Sequence, residues 1–181
     1  SPASDLASNT LLAMIDYPGS VSGSDQIAFA YNRQGQQKTT TDSRGTVHTL
    51  GYDKLGRLVS DTVKPAGSGV DTALLRIDRA YEVRGMLETV TSFSNTSGTG
   101  TPVNQVGLEY NDYGLLTKDA QSHSGAVSGS TPAVLYTYAG TSTSNYVRRT
   151  KVVGDASTGY DYGATGGIND RLSRVESVFD T

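Results

Sequence analysis

The chain has 181 residues, enough to bury a core, yet only 35 % are hydrophobic and 18 % charged, and 21 glycines and 11 tyrosines accompany a net charge of −3. Low net charge with many tyrosines argues against disorder, which goes with high charge and few aromatics, and leaves no basic footprint for nucleic acid. The absence of cysteine excludes disulfides and thiolate metal sites, and the longest apolar run, Leu11 to Ile15, falls far short of the roughly 20 residues that span a bilayer.

Abundant Thr, Val and Tyr suit strands, while Gly and Ser suit turns, so the composition points to an all-β chain of many short strands. No helix is expected. Leu172, Val175 and Val178 are spaced ambiguously, and the repeats around them favour a strand. No basic region followed by a long apolar one opens the sequence, so no signal peptide is read from it.

In chain order, Tyr17-Pro18-Gly19 is a turn, and Tyr31 begins the first of six pairs in which a tyrosine is followed four residues later by glycine. The pairs are Tyr31/Gly35, Tyr52/Gly56, Tyr81/Gly85, Tyr110/Gly114, Tyr136/Gly140 and Tyr162/Gly166. Composition alone would give about one such pair, so this is a repeat array over residues 1–181. The residue after the tyrosine is Asn32, Asp53, Glu82 or Asn111 in the first four copies. Each copy reads as a hairpin: the tyrosine ends a strand, the acidic or amide side chain accepts N–H groups of the turn, and the glycine takes a positive φ with a bulge. Two residues past the glycine stand Leu58, Leu87 and Leu116, which predicts one buried face. Gln37 breaks that column and is expected to be less buried. The copies are separated by Lys64–Ala73, Ser94–Gln105 and Ala120–Ala133, rich in Gly, Ser, Thr and Pro, which read as flexible polar loops along one face or rim.

The string Tyr52-Asp53-Lys54-Leu55-Gly56-Arg57-Leu58 resembles the central signature of the YD-repeat (Rhs-type) family, and Thr41-Asp42-Ser43-Arg44-Gly45-Thr46 resembles the companion turn that precedes it. The resemblance is sharpest around residues 31–63, moderate over 81–119 and weak beyond Ala120. Arg57 has no counterpart in the other copies, where Gln36, Met86 and Leu115 stand. The resemblance implies tandem β-hairpins forming a curved, spiralling antiparallel strip. It also implies a segment of a larger secreted or surface bacterial shell, of the kind that encapsulates or displays a C-terminal effector. Its implied partner is the rest of that parent shell, and its implied localisation is extracellular or cell-surface. Unpaired edge strands predict self-association of an isolated segment. The self-cleaving aspartate-rich core motif and the toxin of full-length members are not recognisable.

Chemistry-bearing residues are sparse. His48 alternates with Val47 on a predicted strand and His123 lies in a Ser/Gly loop, and both read as surface histidines. No Gly-x-Ser-x-Gly elbow occurs. Asp42, Asp53, Asp61, Asp78 and Asp112 lack calcium-loop spacing and read as turn caps and surface charge. Gly67-Ser68-Gly69 and Gly98-Thr99-Gly100 read as linkers, and Asn95-Thr96-Ser97 fits a glycosylation acceptor. No catalytic, cofactor or metal site is therefore expected. The structural set is Tyr31, Gly35, Tyr52, Asp53, Gly56, Arg57, Leu58, Tyr81, Gly85, Leu87, Tyr110, Gly114 and Leu116. Tyr17, Tyr113, Tyr138, Tyr146 and Tyr160 lie near turns or loops, where aromatic rings could stack on sugars. A polysaccharide-binding module is thus the alternative to a structural segment.

Overall fold

The computed structural model describes residues 3–19, 25–139, 148–153, 157–161, 175 and 177–180. Within them lie thirteen strands and no helix. They are β1 Met14–Asp16, β2 Gln26–Tyr31, β3 Gln37–Thr41, β4 Val47–Tyr52, β5 Leu58–Val63, β6 Arg76–Tyr81, β7 Leu87–Phe93, β8 Asn104–Tyr110, β9 Leu116–Ser122, β10 Ala133–Ala139, β11 Arg148–Val153, β12 Ser157–Asp161 and β13 Ser177–Asp180. All join one open antiparallel sheet whose spatial order is the sequence order, β1 through β13. Every strand contacts only its neighbours in sequence. The fold is therefore an all-β strip of consecutive hairpins.

The tight turns share one construction. In the β4–β5 turn, Asp53 N donates to Arg57 O and Gly56 N to Asp53 O, both at 3.0 Å. Asp53 Oδ1 accepts from Leu55 N and Arg57 N, both at 2.9 Å. Gly56 has a φ of 81°, a left-handed conformation that glycine adopts without the clash a Cβ would bring. A register shift between Gly51 and Tyr52 supplies the bulge that lets a short turn feed the return strand. Asn32, Asp42, Glu82 and Asn111 accept the same pair of N–H groups in their own turns.

One layer cannot bury much. The buried hydrophobic residues among those described are Ala30 and Ala120, each 1 % exposed, and Phe93 at 7 %; no large side chain is fully buried. The leucine column consequently does not mark a buried face. Leu58, Leu87 and Leu116 are half-buried, and so is Gln37, whose side chain is held by Thr40 Oγ1. Among the described residues no second layer of strands lies against them, because strand contacts run only along the strip.

The loops behave differently from the flexible polar linkers expected of them. Asn95 builds the β7–β8 loop: its Oδ1 accepts Ser97 N at 3.0 Å and Gly98 N at 2.9 Å, and its Nδ2 donates to Thr99 O at 2.9 Å. This side chain is thus committed to holding the loop. The loop lies over the Arg76–Asp78 ion pair, where Arg76 Nη1 donates to Thr96 O at 3.2 Å. The β9–β10 loop likewise lies against the sheet, with Val127 N donating to Gln105 Oε1 at 2.9 Å. Gln105 Nε2 in turn donates to Thr91 Oγ1 at 2.7 Å.

These contacts fall on one face. Arg76, Asp78 and Ala80 alternate along β6, and Ala80, Thr89, Gly107, Ala120 and Ala133 pair in register across β6 to β10. Small side chains keep that face low enough for a loop to settle on it. At Gly107 an added Cβ would stand 3.3 Å from Val127 Cγ1. Gly107→Val is expected to lift the β9–β10 loop and lower stability by about 1–3 kcal/mol, the usual cost of overpacking. Urea unfolding measures the loss, and faster amide exchange at Val127 reports the loop.

Candidate functional site

The most regular arrangement of polar side chains is a ladder of tyrosines along the turn edge. Each tyrosine lies at or next to the end of the first strand of a hairpin and donates its hydroxyl to a backbone carbonyl at the start of the preceding hairpin's return strand. Tyr52 Oη donates to Gln37 O at 2.8 Å, Tyr81 Oη to Leu58 O at 2.9 Å, Tyr110 Oη to Leu87 O at 2.9 Å and Tyr138 Oη to Leu116 O at 2.8 Å. Tyr31 Oη donates to Leu12 O at 2.7 Å, so the segment before β1 supplies the acceptor for the first rung. The residue two past the turn glycine is thus placed by its carbonyl, which explains why Gln37 stands as well there as leucine.

Spacing of Tyr and Gly put the fifth copy at Tyr136, but the fifth rung is Tyr138. The register shift between Thr137 and Tyr138 matches the shift before every other rung. The separation of Tyr138 from Tyr110, 28 residues, is also closer to the preceding 29 and 29 than the 26 that selected Tyr136. Gly140 and the Tyr162/Gly166 pair lie outside the described residues.

A second set of contacts crosses between consecutive turns. Gln36 Nε2 donates to Gly56 O at 2.9 Å. The Arg57 guanidinium lies 4.4 Å from the centroid of the Tyr81 ring while its Nε contacts Asp53 Oδ2 at 2.7 Å. Its Nη1 would stand 3.4 Å from a Cβ on Gly85, and Met86 Sδ would stand 3.3 Å from one on Gly114. The side chains of Gln36, Arg57 and Met86 therefore each reach over the glycine of the next tyrosine turn. Arg57 lacks a chemical counterpart in the other copies, but Gln36 and Met86 occupy the same place. A cation over an aromatic ring contributes about 0.5–1 kcal/mol at such half-exposed sites.

Turn carboxylates are tuned by these contacts. The Arg57 N–H bond first, then those from the Arg57 side chain and Leu55 N with the Arg57 charge, hold Asp53 below the ordinary carboxylate range against a smaller upward push from burial. For Asp42, burial pushes upward, but the bonds from Thr46 and Arg44 together outweigh it. For Glu82, burial is likewise outweighed by Arg84 and the Met86 N–H. Burial of Tyr52 pushes its hydroxyl up, away from ionisation.

The remaining candidates do not converge. His48 Nδ1 lies 2.9 Å from Asp61 Oδ1, with its side chain 46 % exposed. His123 is exposed in the β9–β10 loop. Among the described residues, no group of three or more His, Cys, Asp or Glu could hold a metal ion. No helix among the described residues is long and apolar enough to cross a membrane. Of the tyrosines considered for sugar stacking, Tyr17 is 45 % and Tyr113 78 % exposed, whereas Tyr138 is a rung of the ladder. Tyr146 lies outside the described residues, and of Tyr160 only the backbone, paired with Val178 in β12, is described.

Two substitutions test the ladder and the turns. Tyr81→Phe keeps the ring under Arg57 but leaves the Leu58 carbonyl without its donor, and should cost about 0.5–1.5 kcal/mol in urea unfolding. Asp42, Asp53 and Glu82 titrate below their unfolded values, so their contribution is present above the unfolded pKa and lost as pH falls through the folded one. Asp53→Asn, which keeps the accepting Oδ1 as Asn32 and Asn111 do, should flatten the acid limb of a melting-temperature profile. An unchanged acid limb would contradict the assignment.

The family model described as RHS Repeat matches residues 31–68, the span from the first described rung through the second hairpin into the β5–β6 loop. No curated protein matches the chain. Among solved structures, the chain is similar to a crystal structure of TcdB2-TccC3 without its hypervariable C-terminal region, at 15 % identity and a TM-score of 0.39, over 76 % of this chain and 8 % of that one. It is also similar to a crystal structure of TcdB2-TccC3-Cdc42, at 18 % identity and a TM-score of 0.32, over 75 % of this chain and 7 % of that one. The chain thus spans less than a tenth of the length of either. Residues 31–68 of this all-β strip are thus similar to an RHS repeat.

Proposed function

We propose that the chain is a structural repeat segment of a secreted or surface shell that encapsulates or displays a C-terminal effector. The observation that carries this reading is the strip itself: thirteen strands in sequence order, each touching only its neighbours. Such a sheet gains stability by adding hairpins at its ends. The match of residues 31–68 to the RHS Repeat model supports the family context. In a parent protein of this kind, the effector should resist protease while the wall is intact. Replacing Tyr81 and Tyr110 by alanine should open the wall and expose it. Equal cleavage of the effector in the unaltered parent would overturn the encapsulating role.

A carbohydrate-binding surface is the second reading, supported by the exposure of Tyr113 at the tip of the β8–β9 turn, where neither packing nor turn chemistry requires an aromatic ring. On a glycan array, binding lost in Tyr113→Ala but retained in Tyr138→Phe would favour it. Absence of binding by the folded chain would remove it.

A further inference from the structure

Of the two methionines, Met14 is exposed in β1 and Met86 is half-buried between the third and fourth tyrosine turns. Met86 Sδ packs against Gly114, 3.3 Å from where a Cβ would stand, with Cε at 3.8 Å. The same place in the two preceding junctions holds hydrogen-bond donors, the Gln36 amide and the Arg57 guanidinium. The neighbouring turn answers with carbonyls: Gly56 O accepts from Gln36, and Asn111 O accepts from Arg84 Nη1 at 2.6 Å. This position therefore admits a donor or an apolar group, and a pure acceptor would face other acceptors.

We propose that Met86 makes the junction between the third and fourth hairpins sensitive to oxidation, with a peroxide as the oxidant. Hydrogen peroxide transfers one oxygen to Sδ: the S–O bond forms as the O–O bond breaks, sulfur gives up two electrons, and the remaining oxygen leaves with both hydrogens as water. The product is a methionine sulfoxide, a larger and polar group whose oxygen only accepts hydrogen bonds. In this position it meets the carbonyl edge of the next turn and competes for Arg84, so the Arg84–Asn111 bond and the packing on Gly114 both loosen. Tyr110 Oη to Leu87 O remains as the other tie across the junction, so the effect is local loosening of the strip.

The test uses the whole chain carrying Met14→Leu, which leaves Met86 as the only methionine. Hydrogen peroxide is added, and hydrogen exchange is read peptide by peptide. The expected result is a one-oxygen mass gain on the Met86 peptide, with exchange several-fold faster over residues 111–115 and unchanged over residues 32–36 and 53–57. Methionine sulfoxide reductase should reverse it, and Met86→Leu in the same background should show no response. Complete oxidation of Met86 with unchanged exchange over 111–115 would overturn the proposal. So would resistance of Met86 to peroxide in the folded chain, or the same acceleration in the Met86→Leu variant. None of these outcomes depends on what the parent shell encloses.

Discussion

Everything in this fold rests on the junction between one hairpin and the next. A single-layer sheet has no opposing layer to pack against, so the apolar burial that stabilises an ordinary domain is mostly unavailable. What replaces it is ladder hydrogen bonding plus side-chain ties between consecutive turns, paired at three of the junctions. A tyrosine hydroxyl reaches back to a carbonyl, and the residue after the turn glycine reaches forward over the next glycine. Each hydrogen-bonded tie contributes only about 1 kcal/mol, but the tyrosine tie recurs from Tyr31 through Tyr138.

The loops complete the economy of the design. Rows of Ala, Gly and Thr lie where a sandwich would place Val and Leu, and the long loops fold back to cover them. A loop needs ordered polar groups to lie against a sheet, and Asn95 and Gln105 provide them. Thus the insertions that set the uneven spacing of the repeats also settle on Arg76, Gln105 and Gly107.

Much of this was legible in the sequence. The recurring Tyr-x-x-x-Gly, with an acidic or amide residue after the tyrosine, identified the hairpins and their turns, because that chemistry is local. Three things were not legible. The choice of Tyr138 over Tyr136 depends on a bulge, which two tyrosines a single residue apart cannot reveal. The role of Leu58, Leu87 and Leu116 depends on a backbone carbonyl, which carries no side-chain signature, so Gln37 looked like an exception. The shared place of Gln36, Arg57 and Met86 depends on spatial neighbours 20 to 28 residues away in sequence, and it tolerates unlike chemistry.

The account's central claim is that stability passes only between neighbouring hairpins. Native-state hydrogen exchange of the intact chain in increasing urea tests it most directly. Protection should disappear hairpin by hairpin, first at the outer strands and last in β6 to β9, with a different opening free energy for each junction. A single global opening, with every protected amide exchanging at the same free energy and urea dependence, would contradict it.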